Sequence, residues 1–363
     1  MARRHGGPSG KAIFTLFGLV FLAGAVVLSR QEREQLSTMD REEEHAQVAD
    51  GRGRLAQTPT DIPPRGLRDV FWRVVESVSN DRVTMVAAGV TFHLLLALFP
   101  ALAAIVSLYG LLADPIAMTG HVRDMASVLP ADAFAVFSDQ LRSLVESRES
   151  TLGAAFIIGL FVALWSAHNG TLAMFDAMNV AYGEVEKRSL LWLNLIALSF
   201  TLGAMLAAVA VIAAVAVMPV VMAHIWLDPL KEDLALLARW PLLLLLVFMA
   251  LTAIYRFGPS REPAKLRWLT WGAAGSTCAW MLMTLGFSWY LNNVADYNAT
   301  YGALGGLIGF LIWTWLSVVI VLVGAELNAE LEHQTICDST TGKPLPLGAR
   351  GAYVADHVGK GED

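Results

Sequence analysis

Long uncharged stretches alternate with short charged segments along most of this sequence. A helix needs about 20 apolar residues to cross the hydrocarbon core of a bilayer. Six stretches approach or exceed that length: residues 86–112, 152–175, 189–223, 240–255, 268–295 and 301–325. The runs are too uniformly apolar for alternating barrel strands. The pattern predicts an all-α fold, a polytopic integral membrane helix bundle with six core transmembrane helices.

The N-terminal part of the chain divides into two segments of different composition. Residues 12–28 are uncharged and follow Arg3, Arg4 and Lys11, which is typical of either an uncleaved N-terminal hydrophobic helix or a signal peptide. Residues 29–65 are rich in glutamate, arginine and proline and contain few large apolar residues, which predicts a polar disordered linker. The predicted membrane domain then covers residues 66–335, and a polar C-terminal tail covers residues 336–363.

Two further segments have the periodicity of amphipathic helices. In residues 66–82 the apolar positions recur at helical spacing, and the members of that stripe are Leu67, Val70, Phe71, Val74, Val75 and Val78. This favours a helix that lies in the membrane surface with its apolar side down, and a short soluble helix packed on a neighbour is the alternative. Residues 113–151 contain a second such pattern, predicted to cap one face of the bundle.

The composition agrees with a membrane protein and excludes several other classes. Hydrophobic residues make up 55% of the 363 residues and charged residues 16%, whereas a soluble domain carries about 25% charged residues. The net charge of −6 and the absence of a basic stripe argue against a nucleic-acid partner. Two cysteines, Cys278 and Cys337, give neither a disulfide framework nor metal-ligand spacing. The lipid bilayer is therefore the expected partner, and a homo-oligomer is left open.

The sequence contains none of the common enzyme signatures. Zinc-protease, nucleophile-elbow, phosphate-loop and dithiol motifs are all absent. We therefore expect no enzyme activity, no cofactor and no metal site.

Basic residues near the ends of the spans predict the orientation of the bundle. Most arginines and lysines fall before the first core span, between spans two and three, between spans four and five, and in the early tail. Because cytoplasmic loops carry an excess of arginine and lysine, both ends of the core are expected in the cytoplasm.

His93 is an ionisable residue within the first core span. Such a residue in a membrane is a functional candidate, and Pro100, two turns later, lies on the same face and frees a backbone carbonyl. The two residues are candidates for a polar pathway. A neutral histidine that makes one interhelical hydrogen bond is the alternative.

Polar residues of the second span form another candidate site. Asn169, Asp176 and Asn179 are separated by seven and three residues and therefore share a helix face, on which a carboxylate binds a cation or relays a proton. A helix end that emerges at the interface, with Asp176 solvated, is the alternative.

Glu326 lies at the end of the sixth span. It follows Gly324 and Ala325. Its two readings are a structural ion pair with Arg256 or Arg82, and a gating or coupling role.

Four glycines at the start of the sixth span form two overlapping pairs of small residues, 302/306 and 305/309, and they are Gly302, Gly305, Gly306 and Gly309. Such pairs let another helix approach closely. Close packing within the bundle, a homo-oligomer contact and a flexible helix all agree with this pattern.

Several segments together resemble the YihY/BrkB family. They are residues 80–89 (NDRVTMVAAG) with 94–100 (LLLALFP), 165–167 (WSA), 177–182, 301–304 (YGAL) with 323–328 (VGAELN), and 346–356. The resemblance implies a bacterial inner-membrane protein with six core helices. Some members have been called virulence factors, some were mislabelled ribonuclease BN, and no activity is established. Here His93 replaces a commoner aromatic or small residue, and Ala97 replaces a frequent serine.

Two functions from different classes agree with these observations. The polar residues within the spans favour a transporter or permease for a small solute, ion or lipid. The amphipathic helices and the long linker favour a non-transporting envelope-integrity or scaffold protein. An enzyme that acts on lipid is a third option with less support.

Overall fold

The computed structural model describes residues 51–112, 149–212, 229–294 and 304–361. Within these ranges all regular structure is helical, apart from one isolated bridge between Ala264 and Thr340. The predicted helix at 12–28, residues 29–50 of the predicted linker and nearly all of the amphipathic segment 113–151 lie outside the described residues. The all-helical class is confirmed for the part of the chain that is described.

The described helices follow a short 3-10 turn at Pro59–Asp61. In chain order they are α1 (Pro64–Asn80), α2 (Val83–Leu112), α3 (Glu149–Ala181), α4 (Leu190–Ile212), α5 (Pro229–Phe257), α6 (Leu266–Asn293), α7 (Gly305–Glu332) and α8 (Tyr353–Asp356). The start of α1 agrees with its Pro63-Pro64 pair, because proline is preorganised for the first helical position. α2 remains helical through Pro100.

Four helical segments are long and apolar enough to cross a membrane, and they are Ile157–Ala181, Leu190–Ala207, Trp240–Phe257 and Gly305–Glu332. α1 and the first part of α2 (Val83–Leu98) are bent by 58° and make a fifth if they form one broken span. The described chain is therefore consistent with several membrane crossings, but the predicted count of six is not established. α6 is a continuous helix outside these four, because glycine, serine, threonine and tryptophan lower its hydropathy.

α7 lies at the centre of the bundle. It packs against α1, α2, α3 and α6. The core cluster consists of buried side chains from α2, α3, α5, α6, α7 and α8, together with Tyr182 and Ala264 from the loops. The largest fully buried members are Met178, Tyr182, Tyr255, Leu269 and Leu322. The central position of α7 means that polar residues on this helix are enclosed on several sides.

Residues 51–63 are an ordered part of the fold. Ala56 and Ile62 are buried against Trp268 and α1. The buried Arg54 donates hydrogen bonds to the carbonyl oxygens of Gln334 (3.3 Å) and Gly359 (2.7 Å). The described end of the predicted linker is therefore not disordered. The composition of this segment does not predict its order, because the order depends on contacts with the distant C-terminal tail.

α1 is amphipathic, but its two sides differ from the prediction. Val70 and Val74 face inwards and pack in a cluster with Trp268 and Leu331, whereas Phe71, among others, is exposed on the outward side. The predicted single apolar stripe is thus divided between an internal contact and an outer surface. The inner side agrees with the alternative of a helix packed on a neighbour, and the place of the outer side in the membrane surface stays a prediction.

Candidate functional site

Two carboxyl groups meet at the junction of α1, α2 and α7. The side chains of Asp81 and Glu326 are hydrogen-bonded to each other. They line a small cavity together with Val83, Val86, Ala177, Val180, Ala181 and Leu322. We call Asp81 and Glu326 the carboxyl pair. Because two adjacent carboxylates repel each other strongly, the pair retains one proton when its hydrogen bond is made.

The turn between α1 and α2 places Asp81 at this site. Asp81 caps α1, and its backbone N–H donates to the carbonyl oxygen of Ser77 (2.8 Å). Arg82 then adopts a φ of 51°, in the left-handed region that non-glycine residues seldom occupy. This turn produces the bend before α2 and directs Asp81 towards α7.

Glu326 is enclosed by the bundle. Its exposed fraction is 1%, and its Oε1 atom has no hydrogen-bond partner among the described residues. The charged groups that act on it are Asp81 and Glu330, which are both acidic. The predicted ion pair of Glu326 with Arg82 or Arg256 is therefore replaced by a contact between two carboxyl groups.

One turn further along α7, Glu330 has a different environment. Its carboxylate accepts hydrogen bonds from Arg73 and from Ser77 (3.4 Å), and Arg73 also donates to Gln334 Oε1 (2.8 Å). Arg73 neutralises Glu330, so the neighbouring acidic group is already compensated. Within the described part of the chain, the carboxyl pair has no basic partner of this kind.

The residues of the predicted polar pathway do not converge on the carboxyl pair. His93 is half-buried on α2, and a Cβ atom at Gly170 would lie 3.5 Å from the Cβ atom of His93. This places His93 beside α3 next to Asn169, which is also half-buried. Pro100 is half-buried two turns further along α2.

Asp176 and Asn179 have opposite environments although the sequence predicts a shared face. Asp176 is exposed, whereas Asn179 is buried. The Asn179 amide donates to Glu186 Oε2 (3.0 Å), and its carbonyl oxygen accepts the backbone N–H of Ser260 (2.7 Å). Asn179 therefore joins the end of α3 to two loops and has a structural contact.

One close helix crossing involves two glycines that lie outside the four-glycine pattern of the sequence. A Cβ atom at Gly272 of α6 would lie 2.3 Å from the backbone oxygen of Gly324 of α7. At Gly309 the nearest atom would be Leu291 Cδ, at 3.9 Å. Gly305 is buried, Gly306 is exposed and Gly302 lies outside the described residues.

Polar side chains also hold several loops together at one end of the bundle. We call residues 51–63, 182–188, 258–265 and 333–361 the polar layer. At its centre Arg261 donates two hydrogen bonds to Glu332, at 3.2 and 2.7 Å, and the two side chains are 2% and 0% exposed. Burial alone would lower the pKa of Arg261, but the Glu332 carboxylate raises it above the ordinary value.

Glu186 in the same layer has a strongly shifted acidity. Hydrogen bonds from Arg188 lower the pKa of Glu186 from 4.5 to about 2, against the effect of burial. A lowered folded-state pKa stabilises the fold above the unfolded value, and this stabilisation is lost as the pH falls through the folded value.

We therefore expect Glu186 to contribute to acid resistance between about pH 4.5 and pH 2. Thermal unfolding of the purified full chain in detergent should show a wild-type melting temperature that falls across this window. In Glu186→Gln the melting temperature should fall less, by an amount that corresponds to about 2 kcal/mol of unfolding free energy. One pKa unit is about 1.4 kcal/mol, and the figure is reduced because the group is partly exposed. Glu76→Gln, on an exposed part of α1, should behave as wild type. Identical pH profiles for all three proteins would contradict this role.

Among the described residues, no group of three or more His, Cys, Asp or Glu side chains is arranged to hold a metal ion. The carboxyl pair contributes two of these side chains.

Comparisons with known proteins give a consistent result. A family model described as Virulence factor BrkB matches residues 74–345. The ribonuclease-like protein YfkH of Bacillus subtilis (strain 168) is 30% identical over 256 residues, which cover 68% of this chain and 90% of the relative. A UPF0761 membrane protein of Vibrio parahaemolyticus is 27% identical over 272 residues, or 73% of this chain and 82% of the relative. No solved structure matches significantly.

Proposed function

This chain belongs to the Virulence factor BrkB (YihY) family of membrane proteins, and on that premise we propose that it is a proton-coupled transporter or permease for a small solute, ion or lipid. The observation that carries the proposal is the carboxyl pair. Ionisable residues buried within membrane bundles commonly belong to ion or proton pathways. Glu326 is such a residue, Asp81 is half-buried beside it, and their pairing requires a proton.

The coupling follows from the chemistry of the pair. With one proton shared, Asp81 and Glu326 hold the α1–α2 junction against α7. When that proton leaves, two negative charges face each other without a basic partner, and their repulsion favours separation of the junction from α7. Protonation thus favours one arrangement of the helices and deprotonation another, which is the property that a proton-coupled carrier needs.

The orientation proposed for this function places the polar layer in the cytoplasm, with the protein in the bacterial inner membrane. The segments counted as basic in the sequence, at 65–82, 187–188 and 256–267, all reach this end of the bundle. An excess of basic residues on one side is typical of the cytoplasmic side. The proposal includes no enzymatic step and no nucleic-acid partner.

Transport assays on the reconstituted full chain test this proposal. Proteoliposomes containing a pH-sensitive dye are given an inward proton gradient and offered a panel of sugars, amino acids, organic anions, inorganic ions and fluorescent lipids. We expect one class to elicit a proton flux above that of protein-free liposomes. In Asp81→Asn and Glu326→Gln this flux should fall to the protein-free level, because a single carboxyl group beside an amide no longer generates the charge repulsion that separates the junction from α7 when a proton leaves.

Glu76→Gln provides the matched control, because Glu76 is an exposed carboxylate on α1 whose partner is its neighbour Asn80. It should keep the full flux. A wild-type chain that moves no class on the panel, or a pair variant that retains the proton flux, would contradict the proposal. Size-exclusion profiles and melting temperatures would show that the variants are folded.

A non-transporting scaffold is the second candidate, and the polar layer favours it. Within this layer, Arg54 donates a hydrogen bond to the carbonyl oxygen of Gly359, and Arg350 donates one to that of Ile336. Arg73 of α1 donates one to the carbonyl oxygen of Lys360 and so joins α1 to the layer. Such interlocked contacts suit a fixed platform for other envelope proteins. Hydrogen exchange distinguishes the two candidates, since a carrier should change protection around α1 and α2 between high and low pH and a scaffold should not.

A further inference from the structure

The outward side of α1 is an apolar surface beside the bundle. Phe71 is 59% exposed and Trp72 is 50% exposed, and Leu67 and Val75 are also exposed. The opposite side is occupied by internal contacts of Val70 and Val74. α1 therefore presents large side chains outwards although its inner side is already used.

The same outward side is basic at its N-terminal end. Arg65 and Arg68 are exposed, and neither makes an ion pair with a described residue. Positions 65, 68 and 72 lie on one stripe of a helix, so both guanidinium groups share a stripe with Trp72. The surface thus changes from basic to aromatic along α1 in the direction of α2.

The bend between the helices gives this order a relation to the membrane. α1 leaves the axis of α2 at 58°, so each residue of α1 advances about 0.8 Å along that axis, from a rise of 1.5 Å per residue. Arg65 and Arg68 then lie about 4 Å further out along the α2 axis than Phe71 and Trp72. If α2 crosses the bilayer, the aromatic residues reach the upper acyl chains and the arginines the phosphate groups.

We propose that the outward side of α1 binds anionic phospholipids, with Arg65 and Arg68 on the headgroups and Phe71, Trp72 and Val75 on the upper acyl chains. Charge complementarity favours anionic over zwitterionic lipids. The apolar area alone would hold both kinds equally. This lipid site uses residues outside the carboxyl pair and does not depend on the transport proposal.

Lipid-selective quenching in the full chain tests the site. Val75→Cys is introduced into a background with Cys278→Ser and Cys337→Ser, labelled with an environment-sensitive fluorophore, and reconstituted into mixtures of phosphatidylglycerol and phosphatidylcholine. Either lipid alone carries bromine atoms that quench the fluorophore. We expect brominated phosphatidylglycerol to quench about fivefold more effectively than brominated phosphatidylcholine at equal fractions, the factor expected from about 1 kcal/mol for one basic residue near an anionic surface.

Substitution of both arginines separates charge from apolar contact. In Arg65→Gln/Arg68→Gln the two brominated lipids should quench equally, with the total quenching retained. Lys343→Gln, an exposed basic residue of the tail, is the control and should keep the preference. The proposal would be overturned if the two lipids quenched equally in the parent protein, or if neither lipid quenched the fluorophore. It would also be overturned if the double variant kept the preference for phosphatidylglycerol.

Discussion

Arg261→Met is expected to destabilise the protein by about 3–5 kcal/mol, the cost of leaving one member of a buried ion pair without its partner. Glu332 accepts both hydrogen bonds from Arg261 and a third from the Ser339 hydroxyl (2.6 Å). Without Arg261, its carboxylate remains fully buried with only a neutral donor. Glu332→Met should also be destabilising, because it leaves the guanidinium group uncompensated.

The double variant Arg261→Met/Glu332→Met distinguishes a broken pair from lost packing. Two apolar side chains in place of a buried pair often restore stability, so the double variant should be more stable than either single variant. Chemical unfolding of the full chain in detergent measures these differences. Lys187→Met is the matched control, because Lys187 pairs with Glu184 but its side chain is 59% exposed, and it should cost less than about 1 kcal/mol. Additive effects in the double variant would contradict a coupled ion pair.

Helix positions followed from the sequence because the bilayer imposes a length and a composition on each span. The runs at 189–223 and 301–325 correspond to α4 and α7 in the described residues. The polar ends of the chain were harder to predict. Residues 51–63 contain few apolar residues, and their order depends on contacts with residues some 280 positions later, which local composition does not reveal.

The sequence also identified single site residues better than it identified their partners. Glu326 was a candidate, and Asp81 lies in the first of the segments that resemble the family, but their contact depends on the left-handed turn at Arg82. Helical periodicity fixes which residues share a face of one helix. It does not fix how neighbouring helices are rotated, and so the shared face of Asp176 and Asn179 does not reveal that Asp176 is exposed and Asn179 is buried.

The glycines illustrate the same limit. The spacing of Gly305 and Gly309 on one helix is the usual signal for close packing. The contact between α6 and α7 instead uses one glycine from each helix, Gly272 and Gly324, and neither stands in a four-residue pair of glycines. On α6, Gly272 and Ser276 do form a pair of small residues four positions apart, and Ser276 also lies against Gly324. A pattern of glycines alone does not find this pair.

Gly272→Ala should therefore destabilise the α6–α7 crossing by about 1–3 kcal/mol or more, the range for overpacking a filled interior. Its new methyl group would lie 2.3 Å from the backbone oxygen of Gly324 and 2.5 Å from the Asn328 side chain, whose Oδ1 accepts the backbone N–H of Gly272. A backbone oxygen cannot move without its helix. The substitution must separate α6 from α7 or distort one of them.

Gly309→Ala is the matched control and should change stability in the opposite direction. Among the described residues, its methyl group would meet only Leu291, at an ordinary contact distance of 3.9 Å, so alanine should stabilise α7 by up to about 1 kcal/mol through its higher helix propensity. Unfolding of both variants in detergent measures the difference. If Gly272→Ala were as stable as Gly309→Ala, the two helices would not be in backbone contact at this crossing. The opposite signs are informative because both substitutions add the same methyl group within membrane-domain helices, and only the distance to the neighbouring backbone differs.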